Sequence, residues 1–193
     1  MVTGVNMILK ALKDYRKFRY KFKGYLLAIV ALIAVIYFTA SIVLNNIQLH
    51  EVEILDKSPV YPYHNYDYMT TEDVYYSIDN TLIEVPAYFR TDFASIPKLF
   101  WFIEAPYKAS LIYPAIWHDY MYSCSTNKTR KQIDDTFFWL LRYEQNPLLT
   151  SLKMYMAVRL FGGYYFDHPG TCGDMIIQIE KDKAKFHKEN PDG

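Results

Sequence analysis

The stretch Gly24-Tyr-Leu-Leu-Ala-Ile-Val-Ala-Leu-Ile-Ala-Val-Ile-Tyr-Phe-Thr-Ala-Ser-Ile-Val-Leu44 decides how this chain is read. It runs for 21 residues without a charged side chain, directly after a block of lysines and arginines. As an α-helix rising about 1.5 Å per residue, it has the length of a bilayer's hydrocarbon core, roughly 30 Å. It is apolar on every side, whereas a helix packed on a soluble core carries a polar stripe. The stretch is therefore read as an uncleaved transmembrane helix. A cleaved signal peptide has a shorter apolar run, about 7–15 residues, and wants a small residue where Phe38 stands relative to a cut at Ala40.

The flanks set the orientation, because basic residues stay on the cytoplasmic side. Lys10, Lys13, Arg16, Lys17, Arg19, Lys21 and Lys23 precede the helix against Asp14 alone, and no Lys or Arg lies between Asn45 and Glu53. The expected topology is a single-pass protein with a cytoplasmic N-terminus and its main domain outside the cytoplasm, its partner being the lipid bilayer through residues 24–44. The whole chain has a net charge of zero, but residues 24–193 hold 14 basic against 20 acidic residues. That excess of acid argues against nucleic acid as a partner of the main domain. Protein partners in the membrane or envelope stay open.

Past the anchor about 145 residues remain, enough for one domain. The boundaries read as a basic segment 1–23, the transmembrane helix 24–44, a stalk 45–69 rich in Tyr, His and Pro, a globular domain 70–178, and a polar, lysine-rich flexible tail 179–193. Within the stalk only Glu51 to Leu55 alternates like a strand. Tyr75 to Ile78 and Thr81 to Val85 flank Asp79-Asn80, a pair suited to a two-residue hairpin turn. After Pro106 the pattern turns helical. One helix is expected to start near Pro114, whose missing N–H is harmless in a first turn. A second is capped by Asn127 or Thr129 and ends near Asn146-Pro147, and a third runs from about Leu148 to Phe161, stopping at Gly162-Gly163. The fold class is thus α+β: an N-terminal transmembrane helix, then a small domain with a short antiparallel hairpin or sheet on about three α-helices. The two cysteines, Cys124 and Cys172, pair if the domain sits in an oxidising compartment; spacing alone does not decide it.

Three segments carry candidate chemistry: Thr91-Asp92-Phe93-Ala94-Ser95-Ile96-Pro97, His118-Asp119-Tyr120-Met121-Tyr122, and Arg130 with Asp134 and Phe137. On a helix, His118 and Tyr122 share a face while Asp119 points about 100° away. Asp134, on the following antiparallel helix, is within reach of His118 and would hold its imidazole in one tautomer. These motifs, with Ala157-Val158-Arg159-x-Phe161-Gly162, resemble the ordered signatures of a bacterial and phage family known only as a domain of unknown function, DUF1353. The resemblance covers about Val74 to Gly163 and implies no activity.

A second resemblance does imply chemistry. His118-Asp119-x-x-Tyr122 on one helix, with Asp92-Phe93 upstream and Asp134 downstream, is similar to the layout of secreted phospholipase A2 enzymes. It implies that Asp119, the Asp92 carboxylate and the Phe93 carbonyl hold Ca²⁺. His118 would then deprotonate a water, with Asp134 orienting it and Tyr122 completing the set. Two features depart from that pattern: no glycine-rich loop precedes Asp92, and no cysteine lies just before the His-Asp pair. Each candidate also has a purely structural role: His118–Asp134 as a buried pair joining two helices, Asp92 and Ser95 as loop-shaping residues, and Arg159 as a partner of Asp134 or Asp135. Ser95 lies outside any Gly-x-Ser-x-Gly elbow, and a single His is a poor basis for zinc. Phe100-Trp101-Phe102-Ile103 is read as core or as a membrane-facing rim. Two function classes follow: a membrane-anchored extracytoplasmic module of noncatalytic, assembly or envelope role, and a calcium-dependent ester hydrolase with His118 as base.

Overall fold

The computed structural model describes residues 2–64, 67–91, 108–124, 128–167 and 172–190. The chain divides into two units, Met1–Ile47 and Gln48–Gly193. The first is helix α1, Val2–Asn46, so the basic segment and the apolar stretch form one continuous helix. From Lys21 to Asn46 it is long and apolar enough to cross a membrane, a property that membrane spans share with signal sequences. Thr39 does not interrupt its apolar surface, because its hydroxyl donates back to the Val35 and Ile36 carbonyls.

The second unit is α+β. Strands β1 (Val52–Asp56), β4 (Val74–Ile78) and β5 (Thr81–Val85) form one antiparallel sheet in the order β1-β4-β5. Strands β2 (Val60–His64), β3 (Asp67–Thr70) and β6 (Arg90–Thr91) form a second, ordered β2-β3-β6. The hairpin expected around Asp79-Asn80 is present, with φ of 51° and 61° at the two turn residues, the left-handed pair that Asn and Asp tolerate. The Asp79 carboxylate also accepts the Glu51 N–H at 2.9 Å and meets His50 Nδ1 at 2.7 Å, which fixes the start of β1 beside the turn. Strand β4 alternates inward and half-exposed residues. Val74, Tyr76 and Ile78 are buried, as the period of two in a one-sided sheet requires.

Helices α2 (Ala109–Cys124), α3 (Arg130–Tyr143) and α4 (Leu148–Phe161) follow, then the short α5 (Gly163–Asp167) and α6 (Cys172–Glu189). Trp117, Ile116, Ile133 and Leu140 close the main core against Ile54, Tyr76 and Val85 of the first sheet. Leu111, Phe137, Leu141 and Met154 form a smaller cluster among α2, α3 and α4. Thr129 caps α3 in a reciprocal box with Gln132, which settles the choice between Asn127 and Thr129.

Three expectations are corrected. The segment 45–69 is not a stalk: the second unit begins at Gln48, and β1, β2 and most of β3 lie in that segment, paired into both sheets. Residues 179–193 are not a flexible tail up to Glu189. Helix α6 is amphipathic, burying Ile179 and Asp182 and placing Phe186 against Tyr61 at 5.3 Å and Tyr88 at 5.7 Å, while Cys172 is joined to Cys124 by a disulfide. Finally, α2 begins at Ala109, so Pro114 lies inside it. Proline cannot donate to the carbonyl four residues back. That carbonyl, Ser110 O, instead accepts Asn146 Nδ2 at 2.8 Å from the α3–α4 loop, which lets the helix run through the proline.

Candidate functional site

Helix α2 places His118 and Tyr122 one turn apart on the face turned toward α3, with ring centroids 4.1 Å apart. The other side of the imidazole meets Phe137 of α3 at 4.7 Å. His118 is 6% exposed and Asp134 fully buried. His118 Nε2 lies 3.0 Å from Asp134 Oδ1, and the Tyr122 hydroxyl donates to the same oxygen at 2.6 Å. Arg159 of α4 takes the second oxygen, Nη1 to Oδ2 at 2.7 Å. One carboxylate thus receives groups from α2 and α4, and three helices meet on it. Arg130 stands behind this cluster, its Nη2 donating to the Arg159 carbonyl at 3.1 Å.

The outward nitrogen of the imidazole faces a second acid. His118 Nδ1 is 3.8 Å from Asp119 Oδ1, beyond hydrogen-bond distance, while the Thr91 hydroxyl donates to Asp119 Oδ2 at 2.5 Å. Thr91 ends β6, so the sheet β2-β3-β6 delivers the start of the Thr91–Pro97 motif to the His-Asp helix. Asp92, Phe93 and Ser95, and the Phe100–Ile103 cluster, lie outside the described residues. Among the described residues there is no group of three or more His, Cys, Asp or Glu side chains able to hold a metal ion.

The electrostatics follow from this geometry. Burial alone would push the His118 imidazole down, but the Asp119 and Asp134 carboxylates outweigh it, and its pKa lies above the ordinary 6.5. Burial would likewise raise the Asp134 carboxyl, yet His118, Tyr122 and Arg159 hold it below the ordinary 3.8. Burial and the Asp134 charge push the Tyr122 phenol far above its usual range, so it serves as a donor. Arg159 rises as well, its desolvation outweighed by Asp134.

Two glycines shape the rear of the cluster through space rather than backbone freedom. A Cβ on Gly162 would stand 2.8 Å from the Tyr122 hydroxyl, and one on Gly163 would stand 2.5 Å from Arg130 Nη1. Of the residues named from the sequence, His118, Asp119, Tyr122, Asp134, Arg130 and Arg159 are brought together. Two contributors take parts that the sequence did not assign to them: Thr91, and Asp135, named from the sequence only as an alternative partner of Arg159. Thr91 lies in the motif, but nothing in it pointed to Asp119. Asp135, fully buried beside Asp134, accepts the Tyr155 hydroxyl at 2.9 Å, Lys131 Nζ at 2.5 Å and the Gln48 N–H at 2.9 Å. An acidic pair inside an otherwise apolar helical face was the available signal.

Fold and cluster define a small α+β domain built around a buried histidine–aspartate pair. Residues 68–158 match the family described as "Protein of unknown function (DUF1353)", which supports the resemblance read from the motifs. The match takes in Thr91, His118, Asp119, Tyr122, Arg130 and Asp134, and ends just before Arg159 and Gly162. No curated protein and no solved structure matches the chain.

Proposed function

We propose that this chain is a membrane-anchored DUF1353 domain, held outside the cytoplasm, in which His118 acts as the general base of an ester hydrolase. The observation that carries the hydrolytic reading is the division of labour between the two imidazole nitrogens. Nε2 is tied to a buried carboxylate that Tyr122 and Arg159 keep ionised, while Nδ1 faces Asp119 Oδ1 at 3.8 Å and makes no shorter side-chain contact among the described residues. A carboxylate on one ring nitrogen fixes the tautomer and leaves the other nitrogen to accept a proton from water. The Cys124–Cys172 disulfide supports an oxidising location independently of the basic flank.

Calcium belongs to this proposal as an expectation carried by Asp119 with Asp92 and Phe93. Among the described residues Asp119 is the sole one of the three, and one of its oxygens already accepts the Thr91 hydroxyl. A specific observation favours the noncatalytic module as the second reading. Both Asp134 oxygens are filled, and His118 is enclosed by Tyr122 and Phe137 with its charged form favoured, the pattern of a helix-joining ion network.

One experiment separates the two. The full-length chain in detergent micelles is assayed for phospholipid and simple ester hydrolysis with and without calcium, beside His118→Gln and Asp119→Asn, while calorimetry follows calcium binding. The hydrolase reading expects turnover that falls about 10²–10⁴-fold in His118→Gln. Absence of turnover above background under both conditions, with His118→Gln less stable than the native chain, leaves the assembly or envelope module.

A further inference from the structure

The outer face of α4 is as apolar as its inner face. Ser151, Met154, Tyr155 and Ala157 are buried, and on the opposite side Leu149, Lys153, Met156 and Leu160 follow one another at intervals of four, three and four residues. Tyr164 and Tyr165 of α5 come next in the chain. Leu149, Leu160 and Tyr164 are 63%, 66% and 71% exposed. A helix apolar on both sides has both sides covered in its working state, and a contiguous exposed patch of this kind marks a docking surface.

Charge indicates the occupant. In a unit where acids outnumber bases, α4 contains no acid, and its charged residues are Lys153 and Arg159. Lys153 sits in the middle of the stripe and meets no carboxylate among the described residues. Lysine there can lay its stem along apolar surface and lift its ammonium to phosphate. A two-fold pairing of this face with a second copy would instead bring a lysine from each side with no acid on the helix to meet it. Tyrosines at the end of the stripe suit a boundary that is dry on one side and wet on the other.

We infer that the face Leu149–Lys153–Met156–Leu160–Tyr164 docks on an anionic lipid surface. The inference rests on reading α1 as a membrane span, which keeps a bilayer within reach of the domain. It is tested on the full-length chain carrying Leu160→Trp, reconstituted into phosphatidylcholine vesicles with phosphatidylglycerol, with and without brominated acyl chains. The emission of the added tryptophan, taken as the difference from the native chain, is expected to shift to the blue and to lose intensity on the brominated lipid, with less loss when Lys153→Glu is added. A chain that resists carbonate extraction while the added tryptophan keeps a water-exposed emission overturns the docking and leaves the anchor intact. A blue shift without loss of intensity on the brominated lipid, together with a dimer on sedimentation, overturns the lipid docking and replaces the lipid by a second copy. Release by carbonate overturns the anchor itself, and the docking with it.

Discussion

Asp134 touches no water and is still ionised, because His118, Tyr122 and Arg159 all direct donors at its two oxygens. The consequence is a pH dependence whose sign is fixed. The His118 pKa is raised on folding, so its share of stability is complete below the ordinary 6.5 and is lost as pH climbs through the folded value. The Asp134 pKa is lowered, so its share is complete above the ordinary 3.8 and is lost as pH falls through the folded value. The network contributes most in the window between those two ordinary values. Denaturant unfolding of the native chain and of His118→Gln should therefore show a stability gap that narrows as pH rises from about 6 to about 9; a gap that widens over that range would contradict the assignment. A second prediction concerns Gly162, whose φ of −69° any residue adopts and whose hydrogen on Cα is all that separates it from the Tyr122 hydroxyl. Gly162→Ala should cost about 1–3 kcal/mol by overpacking, against alanine's better helix propensity. Gly163→Ala meets only the end of the Arg130 side chain, which can swing aside, so thermal unfolding of the pair should rank Gly162→Ala well below Gly163→Ala.

At the level of elements, α6 depends on a long-range link. Its N-terminus is bonded through Cys172 to the end of α2, 48 residues back, while its far end rests on Tyr61 and Tyr88 of the strand region and its middle on Asp182 and Ile179. Joining distant points of the chain restricts the unfolded ensemble, which is worth about 2–4 kcal/mol. Cys172→Ser should lower stability by that amount, and hydrogen exchange should quicken first in residues 172–189 while α2 and α3 stay protected. Equal loss of protection throughout the second unit would mean that α6 is part of the same cooperative core. Local signals explain what the sequence revealed at this scale. The β4–β5 hairpin follows from two turn residues, α3 from a capping residue for which Asn127 and Thr129 both offered themselves, and α4 from a run bounded by Pro147 and Gly162. What it concealed was nonlocal. The start of α2 depends on an asparagine 36 residues away that satisfies the carbonyl Pro114 cannot, and β2 hides behind Pro62 and a cluster of aromatic and polar residues. The many lysines of α6 suggested fraying because its few apolar residues find partners in distant strands.

Across the whole chain, the α+β class, the DUF1353 motifs and the meeting of His118, Asp134 and Tyr122 were legible because each rests on spacing along one helix or between neighbouring helices. The part of the site that comes from β6 was not, since no local pattern tells which strand end abuts Asp119. Gln48 is a further nonlocal case. Its N–H is taken by Asp135 and its carbonyl by the Trp139 indole N–H, both from α3, at 2.9 Å each. This double grip on the first residue of the second unit limits how the protein can be shortened for production: a version begun at Val52, the first residue of regular structure, would strand a sealed carboxylate and an indole without the peptide group that answers them, so a workable soluble version must keep Gln48 and the peptide bond on each side of it.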